Sequence, residues 1–305
     1  MRKWPLFIFV GVGVGLLAWY ERDKFFVNSS KLLSVEQLKA EVKKQQAQAV
    51  ASGKLATGYF HAVDVTGRQQ VLFTTEAQEN DMGQQSYASV LASGKLCGDQ
   101  SITEIVNRVG WNLATIMPPN DYNWQFNTLE DKTVNAFCLP GGEVAVYTGI
   151  LPYCQNEASL AAVLGHEMGH AIARHGGERM AETGVMQGAQ TAMLDMLKKL
   201  GFTSAQQSAA LASFGFNQQM GITWPYTRMQ ETEADEMGLV YMAKAGYNPS
   251  QAIDFWDRMS GTGTAVVTDH PSTADRLADL KSKLDNAMAL YANSGQFGAG
   301  EDLPS

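Results

Sequence analysis

The chain opens on an uncharged apolar run from Trp4 to Tyr20, with Arg2 and Lys3 before it and Glu21 and Asp23 beyond. At about 1.5 Å per residue, such a run reaches the short end of what crosses a bilayer. It exits on Ala18, Trp19 and Tyr20 rather than on a small-x-small cleavage site, and aromatic residues suit a membrane interface. An uncleaved anchor over 4–20 is expected, with a cleaved secretory signal as the alternative. Lys/Arg counts are equal on the two flanks, but the free amino terminus beside Arg2 and Lys3, and the acids Glu21 and Asp23 beyond, predict the N-terminus inside and the rest of the chain facing away from the cytoplasm.

Polar positions dominate the next stretch. Ser34 and Gln37 have capping-box spacing, Val35, Leu38 and Val42 follow at helical intervals, and 21–63 reads as a linker carrying a polar helix. "DVTGRQQVLFT" predicts a short hairpin around Gly67. Ile102, Ile105, Val106, Val109 and Leu113 form one helical stripe that Pro118 and Pro119 stop. The period then changes. Trp124 and Phe126 alternate, and two strand-like runs flank "LPGG", so a small antiparallel sheet is expected. A helix capped at Asn156 runs through His166 and should end near Gly176 and Gly177. In the Ala-, Gly- and Met-rich stretch that follows, Asp195, Lys198 and Lys199 argue for packed helices rather than a second span. "ETEADEMGLVYMAKAG" is a further helix, stopped by Gly246 and Pro249. The tail over 291–305 has little to pack and is expected to be flexible.

Composition narrows the class. The 305 residues are 45% hydrophobic and 18% charged, enough for a real core. A net charge of -8 without a basic cluster argues against nucleic acid as a partner. Three cysteines, Cys97, Cys138 and Cys154, contain no CxxC, which disfavours a cysteine-based zinc ribbon. Buried free thiols are the simpler reading; one disulfide plus a leftover thiol is the alternative.

The candidate chemistry sits in "LGHEMGH". On a helix His166 and His170 share a face and can aim at one ion, while Glu167 lies beside them, placed for a water on that ion. A catalytic zinc needs a third protein ligand and an open position. His175 follows, but Ala173 stands where a turning glycine would be needed, so His175 reads as a cation near the helix C-terminus. The other candidates are the acids Glu231, Glu233, Asp235 and Glu236. Positions two apart on a helix point about 200° away from each other, whereas Glu231 and Asp235 share a face. Ala234 would let that helix pack closely on the His166 helix, with Glu233 pointing elsewhere and Glu233→Gln nearly silent. His270 lies just outside a helix start marked by Ser272 and Asp275. Arg276 in the first turn of that helix needs a carboxylate to offset the dipole, Asp235 or a ligand acid being the natural candidate.

"NAFCLPGG", "LGHEMGH", "ETEADEMG" and "DHPSTADR", in this order, resemble the HtpX/CaaX-protease family of zinc metallopeptidases, in its OMA-like branch with a single N-terminal anchor. The similarity covers about 64–284. It implies a mostly helical α+β fold of gluzincin type, with a small sheet beside the active-site helix. It also implies one zinc per chain, held by His166, His170 and Glu231, with Asp235 supporting the ligands and His270 donating to the oxyanion; Arg276 would join Asp235 in that support on the dipole argument above. The roles of Cys97 and Cys154, both exposed-looking, are not settled by the resemblance.

Together these readings predict a zinc endopeptidase domain over 64–290, in which Glu167 is the general base. A strand edge near Asn135 and Ala136 would hold an extended substrate by strand addition. Unfolded or misfolded envelope proteins would be its substrates, at a single-pass site on the periplasmic side of an inner membrane. The competing class is a membrane-tethered chaperone or scaffold with a structural zinc, which requires a fourth protein ligand. Oligomeric state is not encoded in these motifs.

Overall fold

A computed structural model describes residues 59–181, 228–261 and 276–303, with scattered positions between 191 and 208. The expected anchor over 4–20, the polar helix after it, and His270 lie outside the described residues. Among the described residues, no helix is long and apolar enough to cross a membrane. The chain divides into two compact units, one of 1–59 with 180–222, the other of 60–179 with 223–305. The second unit carries the candidate chemistry.

Strands β1 (Tyr59–Ala62) and β2 (Gln69–Leu72) pair around Gly67, whose φ of 67° suits a residue without a side chain. The hairpin was predicted, although β1 falls inside the stretch read as linker. Helix α1 (Glu76–Ser93) was not predicted. Its buried residues, Glu79, Gly83 and Tyr87, share one face at intervals of four but make no apolar stripe. Thr75 and Gln78 close a reciprocal capping box at its start. Gly83 is needed there, because a Cβ would fall 1.7 Å from the Pro140 carbonyl oxygen.

Helix α2 (Gln100–Ala114) buries Ile105, Val106, Val109 and Leu113 as the stripe predicts, with the Asp99 carboxylate capping its first turn. Strands β3 (Gln125–Leu129), β4 (Ala136–Leu139) and β5 (Glu143–Tyr147) follow in the spatial order β3-β5-β4. The β4–β5 hairpin is antiparallel, but β3 pairs with β5 in parallel, so the sheet is mixed rather than antiparallel. Hydropathy located each strand without naming its neighbour.

A 3-10 turn (Thr148–Ile150) and the short α3 (Leu151–Cys154) lead into α4 (Glu157–Ile172). Every residue of α4 is buried, and α2, β4, α5 (Arg228–Lys244) and α6 (Ser250–Gly261) pack around it. Helix α7 (Arg276–Tyr291) lies against α5 and α6. The tail is not loose as expected. The carbonyls of Glu301 and Ala299 accept from the N–H groups of Glu157 and Ala158, satisfying donors that a helix start leaves unmet. Phe297 also packs its ring against Tyr247.

The α4–α5 crossing sets the site. A Cβ on Gly238 would lie 3.0 Å from the His166 nitrogen, and one on Gly165 would lie 3.1 Å from the Gly238 carbonyl oxygen. Two glycines therefore let the backbones touch, with Ala234, the small residue singled out in the sequence, buried beside them.

Candidate metal centre

Asn156 accepts from the Ser159 N–H and starts α4, whose last turns carry His166, Glu167 and His170. On α5, Glu231 and Asp235 face them. One ligand atom each from His166, His170 and Glu231 lie within 4.8 Å of one another, all buried. The Nε2 atoms of the two histidines are 3.1 Å apart, and Glu231 oxygens lie 3.4 Å from His170 Nε2 and 3.6 Å from His166 Nε2. Two imidazoles and a carboxylate converging on one point form a donor set that suits zinc. Glu167 follows His166 on α4 and is also buried.

Each histidine is held from behind. Asp235 Oδ1 lies 2.9 Å from His166 Nδ1, and Arg276 Nη2 lies 3.1 Å from the same nitrogen and 3.3 Å from Nε2, the nitrogen on the side of the shared point. Arg276 brackets the same carboxylate, its Nη1 lies 3.2 Å from Glu231, and its guanidinium stacks 3.5 Å over the Trp256 ring. Burial acts to raise the Asp235 carboxyl, but the Arg276 charge and the His166 contact outweigh it and hold the pKa below the usual range. Burial pushes His170 well below the ordinary imidazole value, more than the adjacent Glu231 raises it, which favours the neutral form that binds metals.

His175 departs from its expected role. Helix α4 stops at Ile172, short of Gly176, and a second helical stretch runs over 175–181. The break is at Arg174, which adopts a φ of 56° although it is not glycine. Its guanidinium is fixed by Glu79 at 2.9 and 2.8 Å and by the Thr74 carbonyl at 2.8 Å, and Gln70 donates to the Ala173 carbonyl at 2.6 Å. The side chains of the hairpin and of α1 thus make the turn that no glycine announced. His175 is consequently buried, 2.7 Å from His170 Nδ1 and 2.9 Å from Glu233 Oε2. It is not an exposed helix-end cation.

Glu233 does point away from the shared point, as the helical spacing required. It is nevertheless buried and accepts from Thr66, Arg68 and His175, so the expectation that its replacement would be silent is withdrawn. Burial acts to raise its carboxyl, but those partners and the Arg68 charge bring it down to about 2. Among the cysteines, all three are free and Cys154 is fully buried, not exposed, its thiol pushed up to about 12 by burial.

Strand β4 runs beside α4. The Tyr147 N–H donates to the Asn135 carbonyl at 3.0 Å, so that carbonyl is turned toward β5. By strand alternation, the backbone groups of Ala136 and Cys138 face the other way, where no strand pairs among the described residues. The far edge of the sheet is partly closed instead, by the Leu96–Leu129 bridge on β3.

A family model described as peptidase family M48 matches residues 98–284. The chain belongs to peptidase family M48. This M48 chain is 34% identical over 228 residues to the mitochondrial metalloendopeptidase OMA1 of Schizosaccharomyces pombe, covering 71% of this chain and 64% of that protein. It is 32% identical over 175 residues to the protein of the same name from Arabidopsis thaliana, covering 55% and 34%. It is 23% identical over 274 residues to the beta-barrel assembly-enhancing protease of Escherichia coli K12, covering 85% and 55%. It therefore spans less than two thirds of the length of these relatives.

Proposed function

We propose that this protein is a zinc-dependent endopeptidase that cleaves polypeptides presented in extended form. The observation that carries this reading is the convergence of His166, His170 and Glu231 on one buried point, with Glu167 next to His166 and an edge strand alongside. Zinc bound there would supply a Lewis acid for peptide hydrolysis. Glu167 takes the proton of the attacking water and passes it to the departing amine. His270, matched through the resemblance, donates a hydrogen bond to the developing oxyanion. Asp235 and Arg276 hold His166 and Glu231 in place. Outward-facing Ala136 and Cys138 offer main-chain groups to the substrate, whereas the Asn135 carbonyl is turned inward to β5.

Strand addition reads backbone before side chains, which suits unfolded or misfolded proteins as substrates. Among the described residues the group has three donors, which fits a catalytic site better than the four protein ligands of a structural one. A single anchor over 4–20, a catalytic domain on the periplasmic face of an inner membrane, and a role in envelope protein quality control complete the reading. Support for that setting comes from the apolar N-terminal run and from relatives named for mitochondria and for β-barrel assembly.

Glu167→Gln decides the matter. The variant should keep about one zinc per chain by elemental analysis and lose nearly all cleavage of casein. Retained cleavage would refute the mechanism.

A further inference from the structure

The two histidines of the metal group are supported differently. His166 meets a carboxylate directly, since Asp235 Oδ1 lies 2.9 Å from its Nδ1. His170 Nδ1 instead faces a second imidazole, that of His175. We propose that His175 and Glu233 form a relay that fixes the ring and tautomer of His170, with Arg68 and Thr66 of the N-terminal hairpin as its outer anchor. The proposal rests on the zinc reading above and extends it to residues that touch neither metal nor substrate.

The proton positions along the relay are determined by elimination. His170 turns Nε2 toward His166 and Glu231, so a metal there requires the His170 proton on Nδ1. That proton is donated 2.7 Å to His175 Nδ1, which must then be the unprotonated nitrogen of its ring. The His175 proton sits on Nε2 and is donated 2.9 Å to Glu233 Oε2. With His170 Nε2 given to the metal, this one neutral pattern satisfies all three groups. The reverse direction, which begins with a proton on Glu233, ends with a proton on His170 Nε2 and excludes the metal.

The far end is equally constrained. Glu233 Oε2 also accepts from Arg68 Nε at 2.7 Å, and Glu233 Oε1 accepts from the Thr66 hydroxyl. Arg68 turns its other nitrogens to Glu178, at 2.7 and 2.9 Å, and to Gln70 at 3.1 Å. All of these residues belong to the same compact unit. Seating of the hairpin therefore sets where Glu233 stands, and Glu233 sets the ring that holds His170. Arg68, His175 and Glu233 are positioning residues, acting on the metal through His170.

The test is zinc affinity, measured on the full chain by competition with a chromophoric chelator, beside the cobalt absorption spectrum and a thermal melt of the metal-free protein. His175→Leu should weaken zinc about 10- to 100-fold, the range for losing such a support, and alter the cobalt bands. His175→Gln, whose amide can both accept and donate, should recover part of the loss. Glu233→Gln should weaken zinc about tenfold. Arg68→Met should weaken it too, yet add nothing to His175→Leu, because it acts through that ring. Wild-type zinc affinity in His175→Leu, with only a lowered melting temperature, overturns the relay and leaves a packing role. Should that variant fail to fold, wild-type affinity in Glu233→Gln overturns it equally. An additive Arg68→Met/His175→Leu double variant also overturns it. Failure of the wild-type chain to take up zinc, or uptake unchanged in His166→Ala, refutes the zinc reading instead.

Discussion

Arg276 grips Asp235 at two points, Nε to Oδ2 and Nη2 to Oδ1, both at 2.6 Å, while the same Oδ1 faces His166 Nδ1. A buried carboxylate is thus compensated by a cation from α7 and by an imidazole from α4. Arg276→Met should leave that carboxylate without its cation, with only the His166 imidazole beside it, and lower the stability of the metal-free protein by about 3–5 kcal/mol. Adding Asp235→Asn removes the stranded charge, so the double variant should unfold at higher denaturant than Arg276→Met alone. A double variant less stable than Arg276→Met would refute this account of the pair.

Glu231 shares a helix face with Asp235 but reaches the metal point itself. Glu231→Gln should weaken zinc binding and abolish casein cleavage. A strong chelator should do the same to the unaltered protein, with activity returning as one equivalent of zinc is restored. Full metal content in Glu231→Gln would move the third ligand elsewhere.

The Gly165–Gly238 contact yields a paired prediction. Gly238→Ala places a methyl group against α4 backbone, and overpacking of this kind costs about 1–3 kcal/mol. Because the same crossing aligns the metal residues, zinc affinity should fall with stability. Gly176→Ala, whose added Cβ would meet only Pro140 Cγ at 3.7 Å, should be neutral or slightly stabilising. Chemical denaturation with and without zinc measures both. Equal effects at the two positions would contradict the close crossing.

Glu143 is a buried carboxyl on β5 whose Oε2 has no hydrogen-bond partner among the described residues. Burial raises its pKa above the ordinary value. A carboxyl raised on folding favours the native state at low pH, and that advantage is lost as pH rises through the folded value, where the unfolded chain ionises more easily. Glu143→Gln should therefore raise the melting temperature more at pH 8 than at pH 4. An equal shift at both pH values would show that ionisation of Glu143 is not the cause.

Legibility differed from element to element for physical reasons. Helix α2 could be read because Ile105, Val106, Val109 and Leu113 make an apolar face, and α4 because capping and metal spacing coincide. Helix α1 was invisible because its buried face is an acid, a glycine and a tyrosine. The parallel β3–β5 pairing was hidden because alternation reports a strand, not its neighbour. The convergence of His166, His170 and Glu231 followed from helical spacing and resemblance. The placement of His175 did not, since its turn depends on contacts that Gln70, Thr74 and Glu79 make from far along the chain. The docked tail was missed because its contribution is mainly carbonyl groups, which composition does not register.

The Gly165–Gly238 crossing has a consequence for the precision of the metal site. Its two helices bring together His170 and Glu231, which are 61 positions apart in the chain. Since the helices meet through their own backbones, no side chain is available at the crossing to take up a shift of one helix against the other. A displacement of α5 by even part of an ångström is therefore passed to Glu231 undamped, and the two glycines act as the datum from which the metal residues are measured.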